Sequence, residues 1–410
     1  MKILVINADC ITVNSSANLC HLAYLNGLVN NGHEVTLLSA DGKDYKQDPS
    51  MKIPEGVQHY VYYGVSLYEK LSLKKASNKV EASVAPTTEA SACEKTDSSV
   101  KRLLKAGLAS VKRIAVSAYG VHGIYTTFVR KAVRFRSDVE YDFLLSLSTP
   151  VASHLLAYNL LHSGHVKAKK WIQIWEDPWY SDAYGFNRKP RIYREEKRLL
   201  SFAEKVCYVS PLTLENQKRL YPDSAHKMYW QPLPFYYKAD ETSPVTFESN
   251  CYGYFGDYVP EARNLKPFYE AAVETGIAVN ICGNPSNLFA STDRICIHPR
   301  LPLDQLKPIE DETNILIFLC NRKGGQIPGK IYQYSATDKT ILFIMDGTEE
   351  EQKALREFFG KFDRYVFCRN TKEDIAQAIR KIEAGDLSDV KNRPLDDFDP
   401  RKTIRNILNG

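Results

Sequence analysis

Short apolar runs bounded by polar turns recur along the chain, and between them apolar residues return every three or four positions. Apolar runs of strand length predict strands buried on both faces, and the intervening period predicts helices, which together give the β-α alternation of parallel sheets. In the first half the strand candidates are KILVIN at the start, EVTLLS around Val35, VQHYVYYG around Tyr60, DFLLSLS around Leu145, KWIQIWE around Ile172 and KVCYVS around Cys207. In the second half they are CYGYFG, AVNICG, RICIH, NILIFLC, TILFIM and RYVFC. About six per half suffice for one doubly wound sheet each, so the expected fold class is α/β with two Rossmann-like domains.

Prolines and polar residues interrupt any period over Pro232–Ser249, which reads as the linker between a domain of residues 1–235 and one of residues 250–395. The closing RKTIRNILNG, after the acidic NRPLDDFDP, predicts a short amphipathic helix within 396–410 that crosses back onto the first domain. No internal repeat appears, which disfavours a solenoid.

At 410 residues, 44% apolar and 25% charged, the chain has the composition of a globular protein, excluding collagen-like, wholly disordered and membrane-embedded classes. KILVIN is too short for a signal-peptide core, and no apolar stretch approaches the ~20 residues of a membrane helix. The nine cysteines are odd in number, form no close Cys-x-x-Cys pair and mostly sit in apolar runs. They are expected as buried, reduced thiols of a cytoplasmic protein rather than a disulfide frame or a zinc site. No metal and no cofactor are expected.

The net charge of +5 becomes informative once its distribution is read. Residues 76–100 are small and polar, the composition of a flexible loop. From Lys101 to Arg136 there are nine Lys or Arg and no acid, leaving 45 basic against 49 acidic residues in the rest of the chain. Within this basic insertion Leu103, Leu104, Leu108, Val111 and Ile114 follow a helical period with Lys and Arg between them, and a second cluster spans Val129–Phe135. That is the composition of a helix lying on an anionic membrane surface; a surface helix packed on its own domain, with solvated charges, is the alternative. Aromatics are not interleaved with the basic residues, so nucleic acid is not an expected partner.

The loop after KILVIN lacks the Gly-x-Gly-x-x-Gly of a dinucleotide site, which disfavours a dehydrogenase. Asn14, Ser15 and Ser16 are placed to cap the following helix, either as a plain cap or with its amide end aimed into a crevice. In YGYFGDYVPEARN a strand ends at Gly256 and a loop delivers Arg263 and Asn264, where a guanidinium can grip a diphosphate or simply face solvent. Gly283 ends AVNICG and leaves room for a base or ribose. In GGQIPGKIYQYSATDK, Gly324, Gly325, Pro328 and Gly329 form a loop, Lys330 opens a helix and Asp338 closes it.

This last segment resembles the PGK-x-x-E-Y-x-x-x-G-x-P-V signature of glycosyltransferase family 4, retaining enzymes of the two-domain GT-B fold. EDPWYSDA resembles the D-P-W-S-D segment of one branch, KRLLSFAEKVCYVSPLTLENQKRLYP a further stretch, and WQPLPF stands where P-N-G-F-D is usual. The resemblance covers the chain except residues about 64–125. It implies a fold with two domains across a cleft, with Lys330 and Arg263 neutralising the diphosphate of a nucleotide-sugar donor and position 333 meeting its ribose. Gln333 departs from the family's glutamate, and an amide offers one acceptor oxygen and two donors. The donor set is then Gly256, Arg263, Asn264, Gly283, Gly329, Lys330 and Gln333. Asp177 is placed as an acceptor-side or near-anomeric carboxylate, or as a cap of the turn before Pro178, with Glu176 the weaker substitute.

The expected function is retaining, metal-independent transfer of a hexose-type unit from a nucleotide-diphosphate sugar to a lipid-linked or polysaccharide acceptor, such as one building a cell-surface glycan. The expected place is the inner face of the cytoplasmic membrane. Two alternatives are a silent nucleotide-binding partner subunit of the same fold and a nucleotide-sugar epimerase; none of His21, His33, His154, His226 or His298 is singled out by its context as a base.

Overall fold

The computed structural model describes residues 1–45, 47–66, 69–70, 120–182, 187–236, 249–283, 288–323 and 325–410. The expected loop over 76–100, residues 101–119 of the basic insertion and Gly324 lie outside the described residues. In chain order the elements are β1 (Lys2–Asn7), α1 (Ser16–Asn30), β2 (Glu34–Ala40), β3 (Gln58–Tyr62), α2 (Thr126–Ala132), β4 (Glu140–Ser148), α3 (Ala152–His162) and β5 (Lys167–Trp175). Next come α4 (Pro190–Phe202), β6 (Lys205–Tyr208), α5 (Pro211–Leu220), β7 (Met228–Trp230), β8 (Cys251–Phe255), α6 (Lys266–Thr275), β9 (Ala278–Cys282), β10 (Ile295–His298), α7 (Leu303–Glu312) and β11 (Ile315–Leu319). The chain closes with α8 (Lys330–Tyr334), β12 (Thr340–Met345), α9 (Glu349–Gly360), β13 (Tyr365–Arg369), α10 (Lys372–Glu383) and α11 (Pro400–Asn409).

Two sheets form, a seven-stranded one in the order β3-β2-β1-β4-β5-β6-β7 and a six-stranded one in the order β10-β9-β8-β11-β12-β13. The pairs β1–β2, β1–β4, β2–β3, β4–β5 and β6–β7 are parallel, as are the five pairs of the second sheet. All twelve apolar runs are strands; β7, three residues long, is the addition. In each sheet the chain order reverses at one place, between β1 and β4 and between β8 and β11. Such a switch point opens a crevice beyond the carboxyl ends of the strands. The chain packs as two compact units, one of residues 1–21, 32–176 and 189–205, the other of residues 22–31, 177–188 and 206–410.

Central strands read as continuous apolar runs because both faces are covered: all of β11 and β12 is buried. Edge strand β3 differs, with Gln58–Val61 exposed and Tyr60 edge-on to Phe135 at 5.1 Å. Helix starts obey local chemistry. Thr348 and Glu351 form a reciprocal capping box at α9, with backbone-to-side-chain bonds of 3.2 and 2.8 Å, and Thr371 caps α10 through Asp374 N–H. Pro at the first turn and an Asp399 cap start α11, which lies on the second half of α1, where Asn31 Nδ2 donates to the Arg401 carbonyl at 2.9 Å.

The described part of the basic insertion behaves as a surface helix. Phe128, Val129, Ala132 and Phe135 are buried in the first unit while Arg130, Lys131, Arg134 and Arg136 are exposed. The apolar side of the Val129–Phe135 cluster is therefore spent on protein packing, and the cationic side faces out. Just before α2, His122 Nε2 lies 2.9 Å from Glu195 Oε1 on α4, and Glu195 also takes two hydrogen bonds from Arg198 at 2.7 and 2.8 Å. Burial pushes the Glu195 carboxyl up, but the Arg198 and His122 bonds outweigh it and hold it at about 2, below the ordinary 4.5. A carboxyl that binds its proton less readily when folded adds stability above the unfolded value and loses it as the pH falls toward the folded one. The free energy of unfolding should therefore fall more steeply between about pH 5 and pH 2 in the wild type than in Glu195→Gln. Parallel curves in acid denaturation of the two proteins would remove this contribution.

Candidate functional site

In the second unit the residues at the switch point come from the ends of β8, β9 and β11. Gly283, directly after β9, lies so close to the β8 loop that a Cβ there would meet the Gly256 carbonyl oxygen at 2.2 Å. The position thus requires glycine because the β8 loop packs against it, and the room expected there for a base or ribose is taken by the Gly256 carbonyl. Arg263 is drawn across this crevice: its Nε donates to Asn321 Oδ1 at 2.8 Å, just beyond β11, and its Nη1 to the Asp257 carbonyl at 3.4 Å. Asn321 is fixed in turn by donating to the Gln326 carbonyl at 3.2 Å. Asn264 turns the chain into α6, its side chain accepting from Lys266 N–H at 3.4 Å and its carbonyl accepting from Asn370 at 3.0 Å.

Gly329 and Lys330 start α8, which is only five residues long and stops at Tyr334 rather than reaching Asp338. Its end is diverted by Ser335, whose hydroxyl bonds the Ile331 carbonyl at 2.6 Å and Tyr365 Oη at 2.7 Å. A Cβ on Gly329 would press on Leu233 at 3.3 Å. Lys330 Nζ sits 3.5 Å from Glu310 Oε1 on α7, with its side chain 41% exposed. It also reaches Cys282 electrostatically: burial and Glu310 push that thiol up to about 12, against the pull of the ammonium. Lys330 thus borders the same strand ends as Gly283. Gln333 uses its amide oxygen to accept the Tyr236 N–H at 2.9 Å. The first residues of the expected linker are accordingly packed, with Leu233 and Phe235 buried and Phe235 N–H bonded to the Phe398 carbonyl.

Asp177 falls in this second unit. Its carboxylate accepts from the Gln326 side chain. Crowding by protein raises its pKa, an effect that the Gln326 bond and the Arg263 charge offset in part. Asp177 therefore belongs with Arg263 and Gln326, a grouping that the sequence does not reveal.

In the first unit, Ser15 is the cap of the three loop residues, accepting from Asn18 N–H at 3.1 Å, while Asn14 Nδ2 donates to Asp48 Oδ2 at 2.9 Å and Ser16 is the first helical residue. Asn18 holds the loop through the Cys10 and Val13 carbonyls, each at 2.9 Å. Local reading missed a pair: His21, wholly buried on α1, lies 3.2 Å from Glu176 Oε1 at the end of β5. Asp9 is within electrostatic reach of His21, and its burial raises its carboxyl above the usual range. The eight described cysteines are free thiols, five of them buried and Cys296 exposed. Among the described residues no cluster of three or more His, Cys, Asp or Glu is placed to hold a metal, and no helix is long and apolar enough to cross a membrane.

No family model and no curated protein matches the chain. Solved structures do. An E. coli structure described as trehalose-6-phosphate bound with UDP-2-fluoro glucose is 9% identical with TM-score 0.55, covering 100% of this chain and 96% of its own. Anabaena HepE in complex with UDP is 11% identical with TM-score 0.51, covering 100% and 98%. A glycosyltransferase from Rickettsia africae is 12% identical with TM-score 0.50, covering 99% and 92%. At such identities the likeness is one of fold, and it places the chain among α/β proteins with the paired Rossmann-like sheets of GT-B glycosyltransferases.

Proposed function

We propose that the protein is a retaining glycosyltransferase that moves a sugar from a nucleotide-diphosphate donor to a lipid-linked or polysaccharide acceptor. The observation that carries this reading is the crevice of the second sheet, where Arg263 is fixed beyond the ends of β8 and β11 and Lys330 borders the end of β9. Two cations suit a diphosphate. Two structures of the same fold hold UDP or a UDP-sugar analogue, which supports the donor class.

In the proposed step the bond from the anomeric carbon to the diphosphate oxygen breaks and its electron pair stays on that oxygen. The acceptor oxygen bonds to the carbon from the same side and its proton passes to the departing diphosphate. Lys330 and Arg263 stabilise the charge growing on the diphosphate, so a metal has no required part in the scheme. Asp177, coupled to Arg263, tunes the cationic side of the site. Asn264, Gly329 and the loop of Asn14, Ser15 and Ser16 shape the surroundings. The exposed Arg130, Lys131, Arg134 and Arg136 are the described residues suited to an anionic membrane surface at the cytoplasmic face.

The alternative of a silent partner subunit draws on Gln333, whose oxygen accepts from the backbone of Tyr236. A panel of nucleotide-diphosphate sugars tested for thermal stabilisation and slow hydrolysis by the purified chain decides the matter. Stabilisation with hydrolysis is the expected result. Binding without any turnover of any donor selects the silent reading, and no binding at all rejects the donor site.

A further inference from the structure

A cavity of about 280 Å³ opens in the first unit beside the ends of β1 and β2, at edge strand β3. The chemistry of its walls is specific. Asp41, Gln47 and His59 supply planar polar groups, and Ile53 and Val61 supply an apolar wall. Each polar group is held in place. Gln47 accepts from Thr12 Oγ1 at 2.7 Å and donates to the Gly42 carbonyl at 3.2 Å, Asp41 Oδ1 accepts from Lys43 N–H at 3.0 Å, and His59 Nε2 lies 2.7 Å from the buried Ser39 hydroxyl. These bonds leave the second Asp41 oxygen and the second Gln47 amide hydrogen for a ligand. Burial lowers the His59 pKa, favouring the neutral ring.

The walls also exclude ligands. Among the described residues no Lys or Arg lines the cavity, and the ammonium of nearby Lys43 is occupied 4.6 Å over the Tyr63 ring. The charged side chain among the described residues that line it is the acid Asp41. Phosphate, nucleotide and carboxylate ligands are therefore disfavoured. The volume lies just below the roughly 300–1,000 Å³ of ordinary small-molecule pockets, room for one ring and not for a nucleotide. A neutral, hydroxyl-rich ring meets every feature: hydroxyls donate to Asp41 and accept from Gln47, and a C–H face rests on Ile53 and Val61.

We propose that this cavity binds one neutral pyranose ring and that the ring belongs to the acceptor; the second half of the statement rests on the transferase reading above. The probes are methyl glycosides of glucose, galactose, mannose and N-acetylglucosamine, titrated into the full chain by ligand-observed NMR. At least one should saturate in the millimolar range, with affinity reduced about tenfold or more in Asp41→Asn and in His59→Ala. Val61→Arg, at an exposed residue that leaves the core untouched, should block the cavity and abolish the signal. The site is overturned if no glycoside saturates, if the variants bind as the wild type does, or if UDP or inorganic phosphate displaces the sugar. Stabilisation by UDP, measured in parallel, separates the two readings. Its absence with glycoside bound defeats the donor site and the acceptor role but confirms the pyranose cavity, and its presence without glycoside binding defeats the cavity alone.

Discussion

Lys330→Ala should lower the rate of sugar transfer by about 10²–10³ with little change in stability, the loss expected when one preorganised charge is removed from developing oxyanion charge. The ammonium is suited to that role by its environment. It is 41% exposed, 3.5 Å from Glu310 and 5.9 Å over the Tyr334 ring, so its positive charge is partly balanced and still open to a ligand. Glu310 keeps the side chain near the end of β9, and under the proposed function the donor diphosphate would compete with Glu310 for it. Lys330→Arg should retain part of the rate, because charge survives while the point geometry of an ammonium does not. Transfer by Lys330→Ala at close to the wild-type rate would remove this residue from the reaction, and a lower thermal midpoint in the same variant would identify a structural role instead.

Arg364→Ala should cost about 3–5 kcal/mol of folding stability in denaturant titration, the largest effect on the fold expected of a single side chain. Arg364 is 0% exposed. Its guanidinium donates to the carbonyls of Arg393, Thr337 and Lys339 at 3.0, 2.8 and 2.5 Å and to Asn392 Oδ1 at 3.1 Å. Burial lowers its pKa to about 10, which leaves it charged at neutral pH. One side chain thus satisfies the turn after α8 and the 391–393 segment that leads toward α11. Alanine removes the donors and opens a cavity. Methionine fills much of the volume but leaves the carbonyls unmet, so Arg364→Met should recover only the packing part of the loss. A cost below about 1 kcal/mol for the alanine variant would show that water replaces the guanidinium at no penalty.

Much of the fold was legible because parallel strands buried on both faces must be apolar throughout, and such runs stand out in any sequence. NILIFLC is such a run, wholly buried as β11, whereas RICIH is a strand at the sheet edge with Cys296 exposed, read from its apolar composition alone. MYW was not read, since three residues carry no period and its pairing with β6 is what makes it a strand. The helix expected from Lys330 to Asp338 ends at Tyr334 because Ser335 finds Tyr365, thirty positions on, which no local propensity encodes. The basic cluster at Val129–Phe135 showed an amphipathic pattern, but the pattern is the same whether protein or lipid covers the apolar side. Only burial of Phe128, Val129 and Phe135 chooses protein for that stretch.

The candidate site divides in the same way. Gly256, Gly283 and Arg263 are legible from their places in the loops beyond the strands, because strand ends of an α/β sheet gather on one side, and Lys330 from its place at the start of α8. Their partners are not legible in this way. Asn321 on Arg263, Gln326 on Asp177, Tyr236 on Gln333 and Glu176 on His21 are each brought together from distant segments. By itself the sequence determined the class of fold, the order of its elements and the strand ends where chemistry could gather, since periodicity and glycine placement are local physical constraints. Tertiary structure alone decided which charges meet, which helix face is covered and where the cavity beside β3 lies, since hydrogen bonds and burial depend on distances that chain position does not fix.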